Sequence, residues 1–500
     1  MHRWAVVAMA ASLATGAHAQ PLAGRNPFAA LEDGLRPNVV APGRPLPRWS
    51  LRERMAHHKV PGVAIAILKN GELVEARGFG VREAGTRDQV DGDTLFSVGS
   101  ISKVVTAATS LRLVAQQRVE LDRNVDAYLK RWKLPATPEL PRPHVTLRML
   151  MSHTAGFNVH GFEDYQPSEP LPTLLQVLEG QAPAKNEAVR FKHAPGAQSD
   201  YSGGGVSVEQ MVLEDVTGRS LAALASDEVF APLGMRRSTF ANPLPPTQTN
   251  VAKAHDGQGA RKALPRGWES FPESGASGLW TSAYDLGRFM SGLIRSYQGA
   301  SDFLPQPLAA QMMTEVSPAA FGLGPRLGGV GRNRFFFHMG ANDSYLAFME
   351  GYPETGDGFV ILTNGANGGA LLAEIRNALA DAVGAGAHPP VYAVGLRGPP
   401  APDYAGRYRL DPAAPMDLRR SLADSLEAEV LDVRVDQTTV TVATSASGRP
   451  AALLPLGPGQ FVQDGLYTYQ FEFRRDPFGK VRALSVSLPE ANSFAYYVKE

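Results

Sequence analysis

The chain has no cysteine among its 500 residues. That excludes a disulfide framework, a thiol nucleophile, a cysteine-bound metal and a lipid attached at a signal-peptide cysteine. Its stability must come from packing. Charge of one sign is not in excess either: 49 Lys and Arg balance 49 Asp and Glu, with no basic stripe or long charge run. Nucleic acid is therefore not an expected partner, nor is a strongly acidic surface. No apolar run approaches the ~20 residues that a membrane-spanning helix needs, so no transmembrane anchor is expected. Several catalytic signatures are missing as well, among them His-Glu-X-X-His, Gly-X-Ser-X-Gly and the phosphate loop. Strand and helix patterns do not alternate regularly, which argues against a parallel sheet and a dinucleotide site.

What is present begins with His2 and Arg3, an apolar stretch from Trp4 to Ala14, and the small-X-small pattern Ala17-His18-Ala19. This predicts a signal peptide over residues 1–19, cleaved after Ala19, and a periplasmic or secreted mature chain. Residues 20–47 hold many prolines and glycines without periodicity and predict an extended leader. Five hundred residues exceed what one core usually organises. The character of the chain changes after Pro389-Pro390 and again at Pro399-Pro400-Ala401-Pro402. The predicted organisation is a large domain over 48–388, a proline-rich linker over 389–402 and a second domain over 403–500. Short strands with regular turn signals, from Tyr404 to Val498, make that second domain a small β-barrel or sandwich.

The large domain opens with a short helix, Trp49 to His58. An Asn70-Gly71 turn follows between the apolar runs Val63 to Leu68 and Leu73 to Gly78, the strongest short-range hairpin signal. A mostly helical block runs from 117 to 300, with Gly and Pro clustered in loops at 194–205 and 231–275. Strands resume at Phe335 to His338, Tyr345 to Glu350 and Phe359 to Leu362, and a helix from Ala370 to Val383 closes the domain. A hairpin, a helical block, three antiparallel strands and a helix make an α+β fold, an antiparallel sheet flanked by helices.

Between hairpin and helical block, Phe96-Ser97-Val98-Gly99 reads as a strand that turns into a helix at Ser100, apolar nearly all round to Gln116. Lys103 lies one turn on from Ser100, so its amine reaches the serine hydroxyl. A lysine with a lowered pKa can take the proton of a serine. The helix start disfavours a protonated amine there and offers unpaired N–H groups to an oxyanion. By itself the spacing reads as a serine N-cap with a solvated lysine, and chance supplies it about twice in a chain of this length.

Two further segments complete the pattern. Asp200-Tyr201-Ser202-Gly203-Gly204-Gly205 sits in a loop that runs into a helix, and Phe337-His338-Met339-Gly340-Ala341 ends a strand. With Ser100-Ile101-Ser102-Lys103, they resemble the three motif boxes of the serine β-lactamase, penicillin-binding protein and class VIII esterase superfamily. Accessory stretches are similar too, among them Leu150-Met151-Ser152-His153-Thr154-Ala155-Gly156 and Pro232-Leu233-Gly234-Met235. The resemblance covers roughly residues 50 to 385 and is nearest the class C-like branch; the tail resembles the small β-barrel that some members append.

The resemblance implies a β-lactamase/transpeptidase-like domain in which Ser100 is the nucleophile while Lys103 and Tyr201 move its proton. It implies an oxyanion hole from the backbone N–H groups of Ser100 and Ala341, with Gly340 letting a substrate lie beside the strand edge. Acylation and deacylation by water would need no metal or cofactor. Two departures matter. Gly203 stands where many members have asparagine, which removes an amide that would bind an acylamino substrate. His338 stands where β-lactam-binding members carry lysine; a neutral imidazole is a poorer carboxylate anchor, although it can donate one hydrogen bond. His153 is expected to brace a helix–loop junction.

The implied function is an exported serine hydrolase for a small-molecule ester, an amide of D-amino acid type or a short peptide. A weak β-lactamase or D-peptide carboxypeptidase is the alternative. From another class comes a non-catalytic peptide-binding protein that has kept the boxes.

Overall fold

The computed structural model describes residues 26–384, 386–396, 398–411, 413–414, 428–444 and 450–500, so the expected signal peptide lies outside the described residues. Its centre is a six-stranded antiparallel sheet. The strand order is Glu72–Gly80, Gly62–Lys69, Gly358–Thr363, Tyr345–Gly351, Phe335–Asn342 and Arg326–Gly328. Asn70 and Gly71 both take positive φ, 52° and 82°, as the hairpin between the first two strands in sequence requires. Strand Gly62–Lys69 is buried on both faces: Ala64, Ala66 and Leu68 join one apolar cluster, and Val63, Ile65 and Ile67 join another. A strand that alternates between two cores is an inner layer.

The first core holds the helical block. Helix Ile101–Ala115 runs through it, packed by helices Gly203–Thr217 and Ser274–Ser277, while helix Ala283–Tyr297 lies on the sheet against strands Gly62–Lys69 and Glu72–Gly80. Twelve of its fifteen residues are buried, including Lys103. The second core lies between the opposite face of the sheet, helix Gly368–Val383 and the C-terminal region. There, eight strands from Gly406–Leu410 to Ser493–Lys499 close on themselves through pairing of the first with the last. Their inward residues, such as Tyr408, Leu431, Phe471, Leu484 and Tyr497, belong to the same apolar cluster as Phe335 and Phe337 of the sheet. The barrel is therefore seated on the larger domain by a continuous core. No helix among the described residues is long and apolar enough to cross a membrane.

Three features differ from the sequence reading. Residues 26–47 are not a free leader, because Phe28, Leu31 and Leu35 are buried and Val39–Val40 pairs in parallel with Val391–Tyr392 of the proline-rich stretch. The partner strand lies far away in sequence, which local composition does not report. The helix expected from Val206 starts at Gly203, where burial and the Ser202 cap override the low helical propensity of three glycines. The edge strand Arg326–Gly328 was not expected, since three residues are too few to show a period.

Arg36, 1% exposed, ties the N-terminal segment down with two hydrogen bonds of 2.7 Å to the Asp381 carboxylate and one of 2.6 Å to the His388 carbonyl. Breaking such a pair from one side leaves the other side's charge and carbonyl without a partner. Arg36→Leu is expected to cost about 3 kcal/mol in urea unfolding. An unchanged midpoint would show that this segment does not anchor the fold.

Candidate active site

The site forms where the sheet edge is open. Strand Arg326–Gly328 pairs only with Phe335 to Phe337, so His338 to Asn342 have no strand neighbour on that side. The start of helix Ile101–Ala115 lies against this gap. Gly99 turns the chain into the helix at φ +47°, and a Cβ there would sit 2.6 Å from the Ala341 nitrogen. A Cβ on Gly340 would fall on the Val98 carbonyl and lie 3.2 Å from the Ser100 nitrogen. Only glycine permits this approach from either side. Asn342 seals the junction by donating to Ser97 Oγ at 2.6 Å. Alternation in the ladder turns the Ala341 N–H away from the neighbouring strand and into the gap, beside the Ser100 amide.

Ser100 stands at the N-cap position but makes no capping hydrogen bond, so its hydroxyl is not spent on the backbone. Lys103 is 3% exposed, not solvated as a capping reading would have it. Its Nζ lies 2.9 Å from Ser100 Oγ and donates to the Ala276 carbonyl at 2.8 Å. That carbonyl comes from the short helix Ser274–Ser277, which the central helix holds in place. Thr106 donates to the Gly275 carbonyl at 2.9 Å, and Ser102 Oγ accepts from the Leu279 N–H at 2.9 Å. Burial brings the Lys103 pKa down to about 7, because an ammonium out of water is disfavoured. As a neutral amine it keeps a hydrogen for Ala276 and turns its lone pair to the Ser100 hydroxyl.

Tyr201 precedes the cap of helix Gly203–Thr217, in which Ser202 Oγ accepts from the Gly205 N–H at 2.9 Å. The phenol ring packs against His153, His160 and Phe321, with centroid separations of 4.4, 4.9 and 5.9 Å. Lys103 Nζ is 5.0 Å from its centroid, and the His338 ring is 6.2 Å away. The three boxes are thus brought around one ring. His153 accepts from the Ser202 N–H through Nδ1 at 3.2 Å, at a left-handed residue that ends a helix, in the bracing position expected of it. Gly203 is buried. A Cβ there would meet Phe162 at 2.8 Å, so an aromatic ring occupies the space beside it.

His338 is 2% exposed, and burial with the nearby Lys103 charge pushes its pKa down to about 3. Its Nδ1 lies 2.7 Å from the Met339 carbonyl, which can only accept, so Nδ1 carries the proton and Nε2 the lone pair. Nε2 is buried without a partner. The expectation that this histidine offers a hydrogen bond to a carboxylate is corrected: its N–H is committed to the backbone, and it can only accept.

Three residues near the ring were not singled out in the sequence. Phe321 packs against it, and Arg326 places its guanidinium carbon 5.6 Å from the Tyr201 centroid. Both lie in a Gly- and Pro-rich stretch with no periodic signal. Tyr467 of the barrel packs on Phe337 at 6.3 Å, a contact between domains that no local pattern encodes.

Comparison with known proteins finds relatives of the chain. A family model described as Beta-lactamase matches residues 50–383. The D-aminopeptidase of Brucella canis is 28% identical over 297 residues, which cover 57% of this chain and 52% of that enzyme. The chain thus matches about half the length of that relative. Esterase EstB of Burkholderia gladioli is 29% identical over 52% of this chain and 70% of its own. The fold resembles that of the octameric penicillin-binding protein homologue from Pyrococcus abyssi. That likeness has a TM-score of 0.55 at 19% identity and covers 89% of this chain and 98% of the other.

If the neutral Lys103 amine activates Ser100, modification of Ser100 by a fluorophosphonate should follow the neutral fraction of the lysine. A lowered pKa means that fraction is half near 7, approaches completion about a unit above it and is lost as pH falls through it. The rate should therefore drop about tenfold per pH unit below 7 and level off above. A rate that rises only near pH 10 would exclude this role.

Proposed function

The chain belongs to the Beta-lactamase family through residues 50–383, and on that footing we propose that it is an exported serine hydrolase. Its substrates are esters, or amides of D-amino acid or short-peptide type. The observation that carries this reading is the 2.9 Å approach of Lys103 Nζ to Ser100 Oγ, in a site that lowers the lysine pKa to about 7. Ser100 Oγ attacks the substrate carbonyl and its proton passes to Lys103. The developing oxyanion is met by the N–H groups of Ser100 and Ala341, fixed in advance by the close approach of Gly99 to Ala341 and of Gly340 to Val98 and Ser100. Tyr201, packed beside the lysine, shares in passing the proton to the leaving group. Water then takes the acyl group from Ser100 with the lysine again acting as base.

The relatives named D-aminopeptidase and esterase support these two substrate types over β-lactams. So does the loss of two groups: Gly203 offers no amide, and His338 offers neither charge nor donor. Nε2 of His338 instead suits a substrate N–H or O–H. Export rests on the pattern of residues 1–19 alone.

A panel of p-nitrophenyl esters of different chain length, D-amino acid p-nitroanilides and a chromogenic cephalosporin tests the reading. Wild type is expected to turn over esters or D-anilides well ahead of the cephalosporin, with Ser100→Ala at least about 10³-fold slower. Cephalosporin hydrolysis ahead of the rest would favour the β-lactamase alternative. No turnover by folded protein would favour a peptide-binding one.

A further inference from the structure

We propose that Asp164 closes the open sheet edge just beyond the oxyanion position and so limits the site to short acyl groups. The inference rests on the serine-hydrolase reading and adds to it a residue that sets specificity. Along the edge left free by strand Arg326–Gly328, alternation turns the backbone groups of Met339 and Ala341 outward. The Met339 carbonyl is taken by the His338 ring, 2.7 Å from its Nδ1. The next amide on that side belongs to Asp343, in the turn to strand Tyr345–Gly351, and it donates to Asp164 Oδ2 at 2.7 Å. Ala341 is thus the outward position left between two that are capped. An edge one residue deep cannot take an extended peptide as an added strand.

The end that Asp164 blocks is the acyl end. Tyr201 serves the leaving group and stands beside His338, with 6.2 Å between ring centroids. The leaving group therefore departs toward His338, and the acyl chain runs toward Asp343. At ~3.4 Å per residue, position 343 lies about 7 Å beyond position 341. Contact with the carboxyl group takes up about 3.5 Å of that, which leaves about one residue's length, or an acyl chain of about four carbons. The wall is also fixed in place. Tyr165, next to Asp164, exchanges backbone hydrogen bonds of 3.0 and 2.8 Å with Ser270, and Lys185 Nζ donates to the Asp164 carbonyl at 2.8 Å. On the other turn residue, buried Glu269 accepts from Ser344 Oγ at 2.8 Å and is held by Lys262 Nζ at 2.9 Å. Asp343 and Ser344 are each gripped by a carboxyl group. Burial above all, with the Asp343 and Glu269 charges adding to it, raises the Asp164 pKa to about 8. At pH 7 the cap is then mostly protonated, and selection there reads the shape of the wall rather than its charge.

A series of p-nitrophenyl esters from acetate to decanoate tests the cap at pH 7. Wild type should lose about tenfold in kcat/KM between butyrate and octanoate. Asp164→Ala, and Asp164→Ser, whose side chain is one bond shorter, should each raise the octanoate-to-butyrate ratio about tenfold. Asp164→Asn keeps an acceptor for the Asp343 N–H and should keep the wild-type profile. A loop tether that served stability alone would lower all esters together and leave the ratio where it was. Calorimetric binding of the butyrate and octanoate esters to Ser100→Ala protein, with and without Asp164→Ala, makes the comparison without turnover. Absence of hydrolysis, with length-selective binding that Asp164→Ala relaxes, would sink the hydrolase reading and leave the cap standing. A wild-type rate that does not fall with chain length, or a ratio that neither opening variant moves, would overturn the cap.

Discussion

Everything at this site depends on keeping one amine out of water. Lys103 lies on the buried first turn of the central helix, between Ser100 Oγ at 2.9 Å and the Ala276 carbonyl at 2.8 Å. Neither partner is an anion, so nothing repays the charged form for its lost hydration. The Ala276 carbonyl stays in place because Thr106, Ser102 and Gln210 hold residues 275 to 279 through hydrogen bonds of 2.9 Å. A central helix buried on nearly every side is thus what would turn a common residue pair into the proposed nucleophile and its base.

The second constraint is where the sheet stops. Had the edge strand run longer than Arg326–Gly328, it would have paired with His338 to Asn342 and filled the gap. Its shortness leaves the Ala341 amide free beside the helix start, and Gly99 and Gly340 let the two backbones meet. The barrel adds to this from the far face. Its core is continuous with the sheet through Phe335 and Phe337, and Tyr467 reaches the side of the site where Arg326 stands.

Much of this was legible in the chain because it is local. Ser100 and Lys103 are one turn apart, Asn70-Gly71 sets its hairpin by backbone chemistry, and the barrel strands show period two between turns. The three boxes were legible through family resemblance, since nothing in residues 100, 201 and 338 by themselves says that they meet. What escaped was set by contacts distant in sequence. Val39–Val40 finds its partner at Val391–Tyr392, and the helix takes in Gly203 to Gly205 because burial outweighs propensity. The role of His338 changed for a smaller reason. A sequence shows an imidazole but not that its one N–H faces the Met339 carbonyl.

The most direct test of the account is the protonation of Lys103 itself. In protein labelled with 13C at the lysine ε carbons, with the Lys103 signal assigned by its loss in Lys103→Arg, the chemical shift can be followed from pH 5 to pH 11. Burial beside uncharged partners predicts a midpoint near 7, well below the other lysines. A midpoint above 10 would mean that the amine stays charged at working pH, and Ser100 would then have no base.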